Sequence, residues 1–215
     1  MLALGETRSA QELHPKLKSG EKTIRTILIL PPKVEIVRQG VKGVESMIKE
    51  SEEVEAVVIT TVSKVLNEKK MNLIASPFTP KALESNNELK YALADIQSRY
   101  DALLPKLRKN MKDVAKGRFS LGDEVVKVNP DGSADVLLFI RAHGVKPTTG
   151  KQVFGALILN PSFPLVALSI GLVDSRTGDV LFFAKPLAIG DAVGKGEKVL
   201  YKPIAKSFRK LPNAP

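Results

Sequence analysis

Two stretches of the chain carry apolar residues at the three- and four-residue spacing of an amphipathic helix. Between residues 50 and 70 such a stripe alternates with charged residues over about five turns. The segment EAVVITTV inside it is β-branched and would also suit a strand, but the length of the period favours a helix. A second stripe follows Asn86 and Asn87, either of which can cap the helix, and we expect Pro105 to kink it near its end.

Short apolar runs separated by proline and glycine predict the strands. The first run, Ile27 to Leu30, ends at Pro31-Pro32, because proline cannot donate to a strand ladder. The run that opens at Ala134 is apolar at successive positions, which is typical of a central strand covered on both faces. The remaining predicted strands cover residues 72–77, 151–159, 165–173 and 179–186.

The order of these elements predicts the fold class. Strands and helices alternate in the first half, a short helix follows near residues 122–128, and the second half is a run of strands closed by a short helix from Pro203 to Leu211. Strands that are apolar on both faces need helices on both faces. We therefore expect a single three-layer α/β domain over residues 23–215, with a mixed sheet of about five strands and helices on both faces. Residues 1–22 are polar and aperiodic, and we expect them to form a flexible leader or linker.

The composition narrows the chemistry that the chain can carry. Its 215 residues include no cysteine, which excludes disulfides, thiolate metal sites and cysteine nucleophiles. No apolar run reaches the ~20 residues of a membrane-spanning helix, and the first residues lack the apolar core of a signal peptide. The 33 lysines and arginines outnumber the 23 acids, and the resulting net charge of +10 favours an anionic partner such as a nucleic acid, an anionic lipid or an acidic polymer.

Two carboxylates flank a Thr-Gly pair in the segment SIGLVDSRTGDVLFF, residues 169–183. A helix-flanked calcium loop needs oxygen ligands at alternating positions, and the cation Arg176 occupies one of those places. A β-hairpin needs only what is present, because the Asp174 side chain can accept backbone N–H groups and Gly178 can adopt a positive φ. We therefore interpret Asp174, Gly178 and Asp179 as a structural hairpin turn and assign no metal to them.

The sequence predicts no catalytic residue and no cofactor site. The segment AIGDAVGKGEK, residues 188–198, is one residue short of a phosphate-binding P-loop and lacks its serine or threonine, so we interpret it as a flexible loop. His14 lies in the leader, and His143 follows a predicted strand, where catalytic bases do occur. A catalytic triad with His143 would have to recruit Ser120, Ser162 or Ser169, none of which stands in a nucleophile elbow, and a single histidine does not make a zinc site. A solvated loop histidine is the simpler interpretation of His143.

The last basic cluster consists of Lys202, Lys206, Arg209 and Lys210. On a helix that starts at Pro203, the first three of them lie on one face, opposite apolar residues. A solvated outer face explains the cluster, and contact with an anionic partner is the sharper hypothesis. Nucleic acid fits less well as that partner, because single-strand binders interleave basic residues with exposed aromatic side chains, and only 5% of the residues are aromatic.

Several segments line up in the order of a known group of proteins. The segments RTILILPPKVEI, NLIASP, LGDEVVKV with ADVLLFIRAHG, and LSIGLVDSRTGDVLFFAKPL resemble the bacterial envelope lipoproteins of the CsgG, LpoB and TolB-amino-terminal-domain type. The resemblance covers residues 24–211 and implies a three-layer α/β domain in the periplasm, tethered to the outer membrane by a lipid on an N-terminal cysteine that precedes this chain. Residues 1–22 would then link the domain to the membrane. The segment 143–165 departs from the group's pattern, and no pair of alternating segments suited to a pore hairpin is visible.

These observations predict a non-enzymatic cell-envelope lipoprotein that acts as an accessory, assembly or regulatory factor through protein–protein contacts. We expect a protein partner in the envelope and no cofactor, and a homo-oligomer is compatible with the sequence. Two alternatives from other classes stay open: a cytosolic basic protein that associates with nucleic acid, and a small hydrolase built around His143.

Overall fold

The computed structural model describes residues 10–40, 43–147 and 164–215, and within them nine strands form one mixed sheet. The strands are β1 (Ala10–Leu13), β2 (Thr26–Ile29), β3 (Lys33–Gly40), β4 (Gly43–Ser46), β5 (Asn72–Ile74), β6 (Val136–Pro147), β7 (Leu165–Asp174), β8 (Val180–Lys185) and β9 (Leu187–Ile189). A central path runs in the order β1-β8-β7-β6-β2-β5, while β3 joins β6, β4 joins β3 and β9 joins β7. β2 pairs in parallel with β5 and β6, β3 pairs in parallel with β6, and the other pairs are antiparallel.

Helices fill the connections. They are α1 (Pro15–Lys18), α2 (Ile48–Glu68), α3 (Pro80–Ser85), α4 (Asn87–Lys109) and α5 (Ala192–Ser207), with two 3₁₀ helices, η1 (Met111–Lys116) and η2 (Asp123–Val128). The helical period of residues 50–70 thus becomes α2, and the Asn86 side chain caps α4 by accepting the Leu89 N–H at 2.9 Å. Of the described helices, none combines the length and the apolar character needed to cross a bilayer.

The sheet separates two apolar layers. On one face α2 and α5 pack against a set of strand residues that includes Leu138 and Ile170. On the other face α4, η1 and η2 pack against a set that includes Leu137 and Phe139. Consecutive residues of β6 therefore enter opposite layers, which is why this strand reads as a continuous apolar run. The expected fold class, a three-layer α/β domain with helices on both faces of a mixed sheet, is confirmed.

The described sheet contains more strands than the five or so that the sequence predicts. β2 and β3 lie end to end along β6, because Ile29 pairs with Leu138 and Lys33 pairs with Arg141. The intervening Pro31-Pro32 interrupts the ladder, as expected, but the prolines keep the backbone extended, and the chain rejoins the same neighbour at Lys33. β3 alternates polar and apolar residues, and β4 is fully exposed, so neither gives a strong apolar signal.

Residues 10–22, which the sequence assigns to a flexible leader, belong to the folded domain. β1 pairs in antiparallel orientation with β8, and α1 follows directly. Leu13 and Leu17 are buried in the core. The sequence signal is weak because only two apolar side chains of this segment reach the core, and backbone pairing leaves no pattern in the sequence. The domain therefore includes residues 10–22 and does not start at residue 23.

The final helix is longer than predicted. α5 begins at Ala192, and the side chain of Asp191 caps it by accepting the N–H groups of Val193 and Gly194 at 3.1 and 3.2 Å. The segment interpreted as a flexible loop is therefore partly helical. Gly196 breaks the helical geometry with φ 39° and ψ −117°, so that the glycine-rich first turns look like a loop in the sequence. The predicted strand over residues 151–159 lies outside the described residues.

Candidate basic groove

An open groove with a volume of about 570 Å³ lies where several separate parts of the chain meet. Its lining comes from β1, from the end of α4 and the start of η1, from Lys185 at the end of β8, and from Lys210 after α5. Three consecutive residues of β1, Ala10, Gln11 and Glu12, contribute to it. Because successive side chains of a strand point to opposite faces, a groove that meets all three residues follows the edge of the strand.

The groove is strongly basic. Two acidic side chains, Glu12 and Asp113, face five basic ones: Arg108, Lys109, Lys112, Lys185 and Lys210. Asp113 is already paired with Lys116 and Arg118, at 3.1 and 3.4 Å. Among the described residues, no carboxylate lies within ion-pair distance of Lys109, Lys112 or Lys210. The groove therefore presents an excess of uncompensated positive charge.

Two of the basic residues are held by the fold at the C-terminal end of α4. A helix ends in carbonyl groups without intrahelical partners, and cations stabilise that end. The Lys185 ammonium donates to the Arg108 carbonyl at 2.9 Å, and the Arg108 Nε donates to the Ser169 hydroxyl at 3.0 Å. The side chains of Lys109, Lys112 and Lys210 have no such ties among the described residues, and all three residues are exposed.

One wall of the groove is β1, which opens an N-terminal strap that we define as residues 10–22. The buried Gln11 side chain donates from Nε2 to the Lys206 carbonyl at 3.0 Å and accepts the Lys210 N–H at Oε1 over 2.9 Å. A single amide side chain thus fixes the segment after α5 to β1. This bridge positions Lys210 beside the groove.

The predicted turn residues join β7 to β8. Asp174 Oδ1 accepts the N–H groups of Arg176 at 2.9 Å and Thr177 at 3.1 Å, and Gly178 has a φ of 74°. The Gly178 N–H donates to the Asp174 carbonyl at 3.0 Å and closes the turn. The side chain of Asp174 thus satisfies backbone donors of its own loop, which is the structural role that these residue types suggest.

The same turn anchors the strap. Lys22 pairs with Asp174 at 2.9 Å, and Lys16 pairs with Asp179 at 3.1 Å. Burial acts to raise the pKa of Asp174, but the hydrogen bonds from Lys22 and from two backbone N–H groups outweigh it and lower this pKa below its ordinary value. Both carboxylates therefore bind lysines of the strap.

The structure separates the four cations of the predicted partner cluster. Lys210 lines the groove, whereas Lys202 and Arg209 are exposed outside its lining. Lys206 is partly exposed, and its carbonyl accepts the hydrogen bond from Gln11. Sequence reasoning missed the lysines of α4 and η1, because they are far from Lys210 along the chain and only the fold brings them together.

A second cavity, of about 560 Å³, shares Arg108 with the groove. Its buried cation, Arg141, donates to Asp101 at 2.6 Å and to the Gln97 side chain, and Lys33 also pairs with Asp101 at 2.6 Å. Burial acts to raise the pKa of Asp101, but the hydrogen bonds from Arg141 and Lys33 lower it below its ordinary value. This cluster links β3, β6 and α4, which gives Lys33, Asp101 and Arg141 a structural role.

His143 lies on β6, not in the loop that the sequence suggests, because β6 continues to Pro147. Its Nδ1 is 3.2 Å from a carboxylate oxygen of Glu35, and both side chains are at least half exposed. The hydroxyls of Ser120 and Ser169 are hydrogen-bonded elsewhere, and Ser162 lies outside the described residues. In the ranges that the structure describes, no group of three or more histidine and acidic residues could hold a metal.

No protein-family model matches the chain, and no curated protein matches it. Solved structures do resemble it. A PelC dodecamer from Paraburkholderia phytofirmans is similar with a TM-score of 0.44 and 12% identity, over 92% of this chain and 94% of that one. Lipoprotein GNA1162 from Neisseria meningitidis has a TM-score of 0.39 and 15% identity, over 77% and 81% of the two chains. The LpoB C-terminal domain from Salmonella enterica has a TM-score of 0.29 and 12% identity, over 81% and 94%.

A lipoprotein and an LpoB domain, the kinds of protein that the sequence segments resemble, are thus among the similar solved structures. At these identities and TM-scores neither a family, an activity nor a partner follows from the likeness.

Proposed function

We propose that this domain is a non-enzymatic cell-envelope lipoprotein that acts as an accessory, assembly or regulatory factor by binding a protein partner at the basic groove. The observation that carries the proposal is the groove itself, where the fold collects Lys109, Lys112 and Lys210 without carboxylate partners among the described residues. An open, concave surface with an excess of one charge favours a partner of the opposite charge. The sequence resemblance to envelope lipoproteins supports the periplasmic location.

An acidic protein segment fits the groove better than nucleic acid does. Proteins that bind single strands stack bases on aromatic side chains, and none of the described residues that line the groove is aromatic. The hydrolase alternative has less support, because His143 lies beside Glu35 and the hydroxyls of Ser120 and Ser169 are hydrogen-bonded to other groups. Nuclease treatment of a crosslinked adduct distinguishes the nucleic-acid alternative from the proposal.

Site-specific photocrosslinking in cells tests the proposal. A photoreactive amino acid replaces Lys112 in the groove, and in a matched protein it replaces Lys90, an exposed lysine of α4 outside the groove. We expect position 112 to give a discrete protein adduct in the envelope fraction, whereas position 90 gives none. The adduct should disappear in the variant Lys109→Glu/Lys210→Glu.

A charge-matched variant, Lys81→Glu/Lys90→Glu, is the control, because it lowers the net charge equally and leaves the groove intact. Loss of the adduct in this control would show that net charge, and not the groove, selects the partner. Adducts that nuclease removes, in a protein that fractionates with the cytosol, would support the nucleic-acid alternative and overturn the proposal. The lipid tether has its own test, since a lipobox cysteine must be encoded upstream of residue 1.

A further inference from the structure

The sheet extends further than the helical layer of α4, η1 and η2 that covers one of its faces. Where that layer ends, Lys33 of β3 and Arg141 of β6 both bind Asp101 of α4. Arg141 pairs across the strands with Ser169 of β7, whose hydroxyl accepts a hydrogen bond from Arg108 in the last turn of α4. The strands β3, β6 and β7 continue past these contacts, whereas α4 has ended.

Two further rows of side chains lie on this face of the sheet, beyond α4. The strand residues that alternate with them, such as Val166 and Ala188, point into the opposite layer of α2 and α5. In cross-strand register on β3, β6, β7 and β9, the first row contains Glu35, His143, Ala167 and Leu187, and the second contains Val37, Val145, Leu165 and Ile189. We call the apolar members of these two rows the apolar face.

The apolar face belongs to neither of the two apolar layers formed by the described residues. Ile189 is 55% exposed and Leu187 is 39% exposed, Val37 is buried, and the remaining members are partly exposed. Single exposed apolar side chains are ordinary on a protein surface, but a contiguous group of them marks a binding surface.

The apolar face adjoins the basic groove. Lys185, which lines the groove, donates to the Arg108 carbonyl and therefore lies on the α4 side of the sheet. Leu187 follows Lys185 by two positions, and its side chain lies on the same side of the sheet. Arg108 lines the groove and, together with His143, the second cavity. A ligand that covers the apolar face therefore has cations along the side that borders α4.

The dimensions of the apolar face suit a helix. Four strands spaced about 4.8 Å apart span about 14 Å between the outer two, and three turns of helix are about 16 Å long. The neighbouring part of the same sheet face is covered by α4, which packs there through its apolar side. An amphipathic helix can cover the rest in the same way, and acidic residues on its flank would complement the cations beside α4.

We infer that the protein partner docks an amphipathic helix on the apolar face, beside α4, with acidic residues on the flank that is directed toward the basic groove. The inference rests on the proposed function and specifies the structural element of the partner and its apolar contacts. In this mode of recognition the apolar residues of the bound helix recur at three- and four-residue spacing, and their burial supplies affinity.

Photocrosslinking from the apolar face tests this mode of binding. A photoreactive amino acid replaces Leu187 in one protein and Ile189 in another, and mass spectrometry identifies the residue to which each one attaches. We expect both to attach to the protein that is captured from position 112, at two residues that lie three or four positions apart on one helical stripe. Attachment at residues two positions apart would show an extended partner segment and would overturn the inference.

Other occupants of the apolar face give distinct crosslinked products. An adduct within one chain, to residues 148–163, would show that the chain covers this face itself. An adduct between two copies of the chain would show self-association. Either product, a lipid adduct, a protein other than the one captured from position 112, or no adduct at all would overturn the inference, while the adduct from position 112 would still decide the proposed function.

A double variant gives an independent test. Leu187→Thr/Ile189→Thr removes the exposed apolar surface and keeps residues that suit a strand. We expect it to lower the yield of the adduct from position 112 at least about tenfold, because the bound helix loses its contacts with two apolar side chains.

Val126→Thr is the matched control, at an apolar position that is 44% exposed and lies outside both the groove and the apolar face, and it should leave this yield unchanged. An unchanged yield in the double variant would overturn the inference and leave the proposed function standing. Urea denaturation establishes whether each variant is folded. If the double variant does not fold, crosslinking from position 189 decides between the same outcomes.

Discussion

At the scale of single residues, Gly178 shows how tightly the turn after β7 is specified. Its φ of 74° lies in the left-handed region, and a Cβ placed on it would stand 2.1 Å from the carbonyl oxygen of Gly122. The Leu121 N–H donates to the Gly178 carbonyl at 2.9 Å, so the loop before η2 lies directly on the turn. Both the backbone conformation and the neighbouring loop therefore require glycine at this position.

The variant Gly178→Ala is expected to lose at least about 2 kcal/mol of unfolding free energy, because backbone strain and displacement of Gly122 add together. Gly132→Ala is a matched control, since Gly132 has a φ of 65° with nothing within 4 Å of its Cβ position. We expect it to lose about 1 kcal/mol from strain alone. Urea denaturation at pH 7 measures the unfolding free energy of both variants. Equal losses would show that Gly122 moves away from the added Cβ at no cost in free energy.

The turn could be predicted from the sequence because its determinants are local. Asp174 and Gly178 are four positions apart, and their residue types suffice to favour a hairpin. The lysines that pair with this turn could not be predicted in the same way. Lys16 and Lys22 reach it only because β1 docks beside β8, and nothing near them in the sequence indicates that docking.

At the scale of elements, His14 caps α1 at the point where β1 of the strap ends. The Nδ1 atom accepts the Lys16 N–H at 3.1 Å and caps the helix, and the ring lies against Gly117, where a Cβ would be 2.6 Å from Nε2. Burial lowers the pKa of His14 below its ordinary value of 6.5, and Lys16 acts in the same direction. The nearby carboxylates of Asp179, Glu21 and Asp174 act to raise this pKa but do not outweigh burial.

This lowered pKa makes stability depend on pH. The unfolded chain takes up a proton on His14 before the folded chain does, so the stabilising effect is complete above pH 6.5 and is lost as the pH falls through the folded pKa. We expect the unfolding free energy to fall from pH 7 to pH 5 with a slope of at most about 1.4 kcal/mol per pH unit. His14→Asn keeps a side-chain acceptor that does not titrate here, and its profile should be flatter. Parallel profiles of the two proteins, measured by urea denaturation, would contradict this role.

The two long helices could be predicted because their apolar residues repeat with helical spacing over many turns. α2 and α4 follow apolar stripes of many turns, and Asn86 caps α4 as its position suggests. The strands β1, β3 and β4 have no such signal, because backbone pairing, of β1 with β8, of β3 with β6 and of β4 with β3, leaves no pattern in the sequence. The expectation that Pro203 begins a helix is wrong, because Pro203 lies inside α5.

At the scale of the whole molecule, the sheet lies between the two helical layers and packs against both. The groove, in contrast, is formed by segments that are far apart along the chain. β6 lies between the two helical layers and gives the three-layer fold that apolar runs on both faces predict. The groove combines β1 with the end of α4 and with Lys210, which follows α5. A single sequence shows that cations are in excess but not which of them converge, because convergence is a property of strand order.

Since both layers share β6, we expect them to unfold together. Leu137 and Leu138 are fully buried neighbours on this strand, the first in the layer of α4 and the second in the layer of α2 and α5. Leu137→Ala and Leu138→Ala should each lower the unfolding free energy by about 2–5 kcal/mol, through lost burial and a cavity. Val126→Ala, at a position that is 44% exposed, is the control and should cost less than about 0.5 kcal/mol. Urea denaturation followed by far-ultraviolet circular dichroism should show one transition in every variant. Two separated transitions in either leucine variant would show instead that the two helical layers unfold independently of each other.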